Sequence, residues 1–355
     1  MRLLTSRSML AVLVLVSLAG WASAQQTAGE KTAEQVFKNI QVFQGKPANE
    51  LRPTMDFIAS SLGVHCSFCH NTRDFSSDVK PTKRRARQMI AMVFAVNKST
   101  FGGRNEVNCY TCHRGSAHPD GRLSLASLTA SAPPRPPQRP ERSQQDLPGA
   151  ARILAKYVAA IGGGSALAAI HNETVSAQRV AFGRTSPVQL TRADGKVVLS
   201  QGASSKSGFD GSTYWTSGKR GTNLNPESST IAQLRVDRPL YPAAEVDPTH
   251  ARVFSEQEVD GQQAYVVGVR TANGFDSYAF DAATGLLLRY TTGAPTFLGT
   301  LPLQVDYSDW RQVGNVKLPF DLIFDTHDFH WQRKISHIRL NGDVDAARFQ
   351  APAGR

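Results

Sequence analysis

The sequence predicts a multidomain protein, with an all-α N-terminal module and a C-terminal α+β domain built on a curved antiparallel sheet. Before residue 120, apolar residues recur with helical spacing. After residue 150, short β-type runs alternate with Asp-Gly and Asn-Gly turn signals. A stretch dense in proline and arginine separates the two parts. The chain has 355 residues, which is long enough for two globular domains.

The first residues have the pattern of a secretory signal peptide. A basic start precedes an apolar run from Met9 to Ala19, and Ala22-Ser-Ala24 offers a cleavage site before Gln25. The apolar run is too short to span a bilayer, and Gln25 in place of a cysteine argues against a lipid anchor at that position. We therefore expect a signal peptide over residues 1–24 and a mature protein in the periplasm, where a partner would provide any membrane association.

Two copies of C-x-x-C-H stand out, at Cys66-Ser-Phe-Cys69-His70 and Cys109-Tyr-Thr-Cys112-His113. This is the attachment signature of c-type haem, in which two thiols bind the porphyrin and the adjacent His ligates the iron. All four cysteines of the chain lie in these motifs. We predict two covalently bound haem c groups, with the proximal iron ligands His70 and His113 and the attachment residues Cys66, Cys69, Cys109 and Cys112.

The cysteines have two other interpretations. Four thiolates could form a tetrahedral zinc site, but that leaves the repeated His after each second Cys unexplained. A thioredoxin-like dithiol would need a βαβ context, which this window lacks. Haem attachment accounts for the whole repeated pattern.

An apolar helical pattern that carries methionine precedes each motif. In the first, Pro53 suits a first turn and Gly63 suits a C-cap, and a buried stripe is predicted over Met55, Ile58, Ala59 and Leu62. In the second, after Pro81, the stripe comprises Met89, Met92, Val93 and Val96. Met on an apolar helix face is commonly core filler, but near haem its thioether is a good sixth iron ligand. The spacing leaves Met89 and Met92 both open, and His118 is a further candidate.

Residues from about Val36 to Pro119 resemble the cytochrome c subunit of photosynthetic reaction centres. The likeness lies in Pro53-Thr-Met55, Ser61-Leu-Gly-Val-His-Cys66, Ala86-Arg-Gln-Met89-Ile-Ala-Met92, Asn97 and Cys109-Tyr-Thr-Cys112-His113-Arg114-Gly115. In that family a Met helix, a turn and C-x-x-C-H serve each of several haems. The resemblance implies Met55 and Met89 as axial ligands and periplasmic electron transfer as the activity.

The chain also departs from that family. The photosynthetic subunit has four haems and uses a distal His for one of them, whereas this chain has two motifs and no His between His70 and His113. It therefore resembles a two-haem version of the module, and a light-driven function is not implied.

Composition sets the expected domain boundaries. Residues 25–125 form the haem domain, which begins with a helix over Thr32 to Ile40, and residues 126–148 form a Pro/Arg-rich linker. Residues 149–355 form the β-rich domain. On such a linker the haem domain is expected to swing relative to the rest of the chain.

A basic cluster opens the second Met helix, and the formal net charge of the chain is +11. Export makes nucleic acid an unsuitable partner. The cluster suits a docking surface for an acidic redox protein or membrane redox complex, neutralisation of haem propionates, or a solvated helix face. Its residues are Lys80, Lys83, Arg84, Arg85 and Arg87.

The C-terminal half begins with a helix over Ala150 to Ile161 that stops at Gly162-Gly-Gly164. The β-type runs that follow cover 173–181, 188–192, 196–201, 264–270, 276–280, 286–292, 303–310, 318–324 and 331–340. In fold pattern only, this half resembles the lipoprotein-carrier-like half-barrels of the bacterial envelope, which makes a lipid or other ligand a candidate partner.

No catalytic constellation is found in the sequence. With both axial positions of each iron filled, we expect an electron carrier and not an enzyme. One alternative is a haem peroxidase or gas sensor with one open iron site. Another is an envelope lipid- or ligand-binding protein with an accessory cytochrome.

Overall fold

The N-terminal part of the chain is helical. The computed structural model describes residues 31–119, 147–202, 205–219, 221–224, 240–271, 274–326 and 329–352. The predicted signal peptide and all but the last two residues of the predicted linker lie outside these ranges. The helices are α1 (Ala33–Val36), α2 (Leu51–Leu62), α3 (Cys66–Cys69), α4 (Pro81–Phe101) and α5 (Cys109–His113).

The ends of the two long helices follow from local sequence. Gly63 and Gly102 cap α2 and α4 in left-handed conformations, with φ of +64° and +62°, which glycine adopts without a steric penalty. Pro81 occupies the first turn of α4, where its missing N–H costs nothing. The predicted helix over Thr32 to Ile40 is wrong in extent, because α1 ends at Val36 and the chain then turns to extended backbone at Phe37.

The C-terminal part is one antiparallel sheet. Among the described residues it has thirteen strands in the order β6-β5-β4-β3-β2-β1-β13-β12-β11-β10-β9-β8-β7. Their bounds are β1 (Asn172–Ala181), β2 (Arg184–Ala193), β3 (Lys196–Gln201), β4 (Ser205–Phe209), β5 (Tyr214–Gly218), β6 (Gly221–Leu224), β7 (Ala251–Val259), β8 (Gln262–Thr271), β9 (Gly274–Asp281), β10 (Leu287–Thr296), β11 (Gly299–Val313), β12 (Val316–Thr326) and β13 (Phe329–Leu340). The predicted antiparallel sheet is confirmed, although the sequence patterns missed β4, β5, β6 and β7.

Two helices pack with this sheet, α6 (Ala150–Ala160) and α7 (Gly164–Ala168), and short 3-10 segments lie at Pro242–Glu245 and Ala346–Phe349. Tyr157 of α6 is fully buried, with its ring centroid 5.2 Å from that of Phe280 and 6.4 Å from that of Trp310. Burial of aromatic and aliphatic surface between α6 and the sheet stabilises this half.

The helical part packs directly against the sheet. A single apolar core contains Phe43 and Phe57 together with residues of β10 and β11. The Phe43 and Phe297 ring centroids are 5.3 Å apart, and the backbone N–H of Phe297 donates to Thr54 Oγ1 at 3.2 Å. The expectation that the N-terminal part swings freely is therefore wrong for this structure, since the β10–β11 hairpin fixes it in place.

Candidate haem-binding site

The first C-x-x-C-H motif is stabilised by side chains at the start of α4. Cys66 and Cys69 lie one turn apart on α3, which has no side-chain cap of its own. The start of α4 satisfies its free carbonyls instead, because Thr82 Oγ1 donates to the Phe68 carbonyl at 2.7 Å and Lys80 Nζ donates to that of Ser67. These bonds position the two thiols beside the first turn of the long helix.

The helix of the second motif, α5, is capped by side chains of its own segment. The Asn108 side chain accepts from the Thr111 backbone N–H at 3.2 Å, while the Thr111 hydroxyl accepts from the Asn108 N–H at 3.1 Å. This reciprocal arrangement is a capping box. The loop after α5 is then tied to α2, since the N–H of Gly115 donates to the Ser61 carbonyl at 2.9 Å.

The two motif histidines are oriented in the same way. His70 Nδ1 lies 3.1 Å from the Phe75 carbonyl, and His113 Nδ1 lies 2.8 Å from the Ser116 carbonyl. A carbonyl only accepts hydrogen bonds, so Nδ1 carries the proton in both rings and the Nε2 lone pair is left for a metal. This is the tautomer that a proximal iron ligand needs.

Burial acts on the titration of several groups in the motifs. It lowers the pKa of His70, with the charges of Lys83, Arg87 and Lys80 acting in the same direction, which favours the neutral, metal-binding imidazole. It raises the pKa of the Cys69 thiol and raises that of the Cys109 thiol to about 11. In the absence of attachment these two sulfurs stay protonated at neutral pH.

The methionines are not buried, which corrects the prediction that Met55 lies on a buried stripe. On α2, Met55, Ile58 and Leu62 are only half-buried and pack at the edge of the main apolar core, although Ala59 of the same predicted stripe is buried. On α4, Met89 and Met92 are 40% and 48% exposed, and Val93 is buried. The protein therefore leaves Met55 partly accessible and both methionines of α4 exposed.

Exposed apolar side chains concentrate around the motifs. Of the twelve large apolar side chains exposed among the described residues, eight lie between residues 31 and 119: Val36, Phe37, Phe68, Phe75, Val79, Met89, Met92 and Tyr110. Such a density of exposed apolar surface in a short segment marks a place that a ligand or partner covers. Together with the free Nε2 atoms and the paired thiols, it fits apolar porphyrin held by the two motifs.

The basic cluster has a structural role that the sequence did not suggest. Lys83 is buried and its Nζ donates to the carbonyls of Phe75, Ser76 and Ser77 at 2.9–3.0 Å. Asp78 forms ion pairs with Lys83 at 3.1 Å and with Arg87 at 2.9 Å. Among its contacts, the hydrogen bond from Arg87 does most to hold the pKa of Asp78 well below the usual range. The cluster therefore shapes the loop whose Phe75 carbonyl orients His70.

In the described part of the chain, which includes all four cysteines, no three side chains of His, Cys, Asp or Glu are grouped as metal ligands. His118, the further candidate for a sixth ligand, is exposed.

Paired thiols, oriented histidines and accessible methionines are the features expected of a c-type cytochrome segment. Comparison with known proteins agrees: residues 12–137 match the family described as photosynthetic reaction centre cytochrome C subunit. The resemblance that the motifs carried is thereby confirmed for the N-terminal third of the chain.

Individual relatives match over the same region. Cytochrome c-554 of Chloroflexus aurantiacus is 38% identical over 82 residues, which is 21% of this chain and 20% of that protein. The photosynthetic reaction center cytochrome c subunit of Thermochromatium tepidum is 32% identical over 100 residues, which is 27% of this chain and 24% of that protein. The match thus spans about a quarter or less of each of these relatives.

Solved structures align with the C-terminal part. A LolA superfamily protein of Nitrosomonas europaea aligns over 57% of this chain and 98% of its own, with 11% identity and a TM-score of 0.39. A putative outer membrane lipoprotein-sorting protein domain of Vibrio parahaemolyticus aligns over 58% and 97%, with 10% identity and a TM-score of 0.37. These are the carriers that the strand pattern resembled, and at such scores they support no argument about function.

Within the residues that the structure describes, no helix combines the length and the apolar character needed to cross a membrane.

Proposed function

We propose that this protein is a periplasmic electron carrier with two covalently attached haem c groups. The observation that carries the proposal is the repeated arrangement of a thiol pair, a histidine with Nδ1 on a carbonyl and, on the neighbouring helix, a methionine that the protein does not bury. The match to reaction centre cytochromes supports it. When bound, each haem would supply a one-electron iron couple.

The residues have distinct roles in this proposal. Cys66, Cys69, Cys109 and Cys112 form the covalent attachments, and the Nε2 atoms of His70 and His113 ligate iron from one side. Met55 and Met89 would supply the second protein ligand of each iron, because each is partly or largely accessible on the helix next to its motif. Thioether ligation favours a higher reduction potential than a second imidazole would give.

The apolar side chains around the motifs exclude water from the sites. Low solvent access disfavours the more highly charged oxidation state and slows the loss of ligands. The partner is a redox protein or a membrane redox complex, and the N-terminal part presents the surface for it. Export through the predicted signal peptide would place the chain in the compartment where such motifs receive haem.

A redox titration of the purified exported protein, followed in the visible spectrum, tests this function. We expect two one-electron transitions and a low-spin spectrum in both oxidation states, because all axial positions are filled. A high-spin fraction of about half would instead support an open iron and a peroxidase or sensor. A spectrum without haem bands would contradict the carrier function altogether.

A further inference from the structure

A group of buried charged side chains lies in the C-terminal part, far along the chain from the haem motifs. Glu173 on β1 stands directly opposite Arg192 on β2 in the strand register. Arg333 on β13 completes what we call the arginine cluster. Glu173 is 1% exposed, Arg333 is 5% exposed and the side chain of Arg192 is 20% exposed.

The charged groups of the arginine cluster act on one another's pKa values. Burial raises the pKa of Glu173, and the charges of Arg192 and Arg333 oppose that shift. Burial lowers the pKa of Arg333 to about 10. Tyr241, which directly precedes the 3-10 segment beside α6, is close enough to Glu173 and Arg192 for both to act on its pKa. The side chains therefore share one buried region between the sheet and the elements that cover it.

Most of the polar atoms in the cluster lack hydrogen-bond partners. These buried atoms are both carboxylate oxygens of Glu173, Nε and Nη2 of Arg192 and Nε of Arg333. Arg192 Nε lies 3.2 Å from Glu173 Oε1 as an ion pair, but the contact does not have hydrogen-bond geometry. Buried polar groups are nearly always paired, so this many unmet atoms in one place indicate a missing polar group.

The balance of charge gives the sign of that group. The guanidinium groups of Arg192 and Arg333 adjoin one buried carboxylate, that of Glu173, and the exposed Glu245 is the other carboxylate that acts on it. Arg179 on β1 stands opposite Arg333 in the register and adds a third positive charge. Arg333 packs on aromatic faces, with its guanidinium carbon 5.0 Å from the Phe324 ring centroid and 5.2 Å from that of Trp331. An anion would offset the excess charge, which burial makes costly.

We propose that the arginine cluster binds a carboxylate or phosphate group carried on an apolar molecule. The unmet N–H groups of Arg192 and Arg333 are donors that suit such an anion, since guanidinium pairs with both carboxylate and phosphate in a forked geometry. The stacked rings of Phe324 and Trp331, 3.8 Å apart, provide an apolar wall for the rest of the ligand. This site does not depend on the proposed electron transfer.

Calorimetric titration of the full-length haem-loaded protein tests the site, with decanoate, decyl phosphate and inorganic phosphate as separate probes and decanol as the neutral match. We expect decanoate or decyl phosphate to bind with one site per chain, at least tenfold more tightly than decanol. Tighter binding of decyl phosphate than of inorganic phosphate identifies a lipid-like source, and equal binding identifies a free anion. Failure of all three anions to bind at millimolar concentration overturns the proposal.

Variants assign the binding to the cluster. Arg333→Gln should weaken the best anionic probe at least tenfold, whereas Arg311→Gln, at an exposed arginine paired with Asp309 at 2.6 Å, should leave it unchanged. If Arg333→Gln does not fold by far-ultraviolet circular dichroism, Arg333→Lys keeps the charge, loses the forked geometry and should also weaken binding about tenfold. Unchanged affinity in the folded Arg333 variant overturns the assignment.

Discussion

At the scale of single residues, the sulfur ligands are the least determined part of the site. Met89 and Met92 are neighbours on one exposed face of α4, and their exposures are similar. On α2 no second methionine is an alternative ligand, because Met55 is the one methionine of that helix. The helical period places both α4 sulfurs on the face that haem would cover, so neither spacing nor burial separates them.

We expect Met55→Leu and Met89→Leu each to remove about half of the weak near-infrared band that reports methionine bound to oxidised haem iron. Leucine keeps the volume but provides no ligand, so one iron loses its sixth ligand in each variant. Met92→Leu is the matched control and should keep the full band. Loss of the band in Met92→Leu, with retention in Met89→Leu, would reverse the assignment on α4.

Gly63 shows how strongly a single backbone position can be constrained. A Cβ at this residue would lie 2.1 Å from the carbonyl oxygen of Gly115, and φ is +64°. Gly63→Ala should lower the free energy of unfolding by about 2–5 kcal/mol, from left-handed strain together with overpacking. Gly45, with φ of +73° and no atom within 4 Å of the place a Cβ would take, supplies the control.

Urea unfolding followed by circular dichroism measures both glycine variants. Gly45→Ala carries the conformational cost alone, about 1–2 kcal/mol. Equal losses in the two variants would show that the contact between the α2 cap and the loop after α5 is not tight.

At the scale of elements, the basic start of α4 acts as a clamp on the loop between residues 71 and 79. Lys83 bonds three successive carbonyls of that loop, and one of these carbonyls also accepts from His70. The sequence displays the cluster of charges plainly. The sequence does not show which groups these side chains bind, because backbone carbonyls are present at every residue and are not distinguished by a side-chain pattern.

Lys83→Met should lower the free energy of unfolding by about 1.5–3 kcal/mol, the value of hydrogen bonds to a charged group. It keeps the aliphatic stem and removes the three donors. Arg85→Met is the control, since Arg85 is exposed and has no hydrogen bond or ion pair within the described residues. Its effect should stay within about 0.5 kcal/mol. Denaturant titration compares the two, and similar losses would assign the stabilisation to net charge instead of the clamp.

Prediction from sequence succeeds best for elements with strong local signals. The alternating apolar residues and Asp-Gly turns give β1, β3 and most of the central strands with nearly correct bounds. The strands β4, β5 and β6 were missed because they are short and rich in Ser, Gly and Thr, and their pairing depends on neighbours already in the sheet. The Met stripe on α2 was correctly seen as apolar, but its exposure follows from tertiary packing.

At the scale of the whole molecule, the helical part packs on the sheet, and no sequence pattern predicts this contact. Phe297 in the β10–β11 hairpin contacts Phe43 and Thr54, residues more than two hundred positions away. Pairings across such a distance leave no periodic signal. The interface fixes α2, and with it Met55, relative to the sheet.

Phe297→Ala should destabilise the protein by about 3–5 kcal/mol and uncouple its two parts. In the wild type, loss of haem absorbance and loss of sheet ellipticity should coincide during denaturation, because one core spans both parts. In the variant the haem signal should change first. Phe254→Ala, at a 47% exposed ring on β7, should leave the transitions coincident, and a single transition in Phe297→Ala would contradict the coupling.

The proposed electron transfer depends on haem attachment at both motifs. Intact mass spectrometry of the denatured, exported protein measures this directly, with a pyridine haemochrome assay on the same sample. We predict the mass of the mature chain plus two haems, falling to one haem in both Cys66→Ala/Cys69→Ala and Cys109→Ala/Cys112→Ala. A bare polypeptide mass, with all colour extracted into acidic acetone, would contradict it.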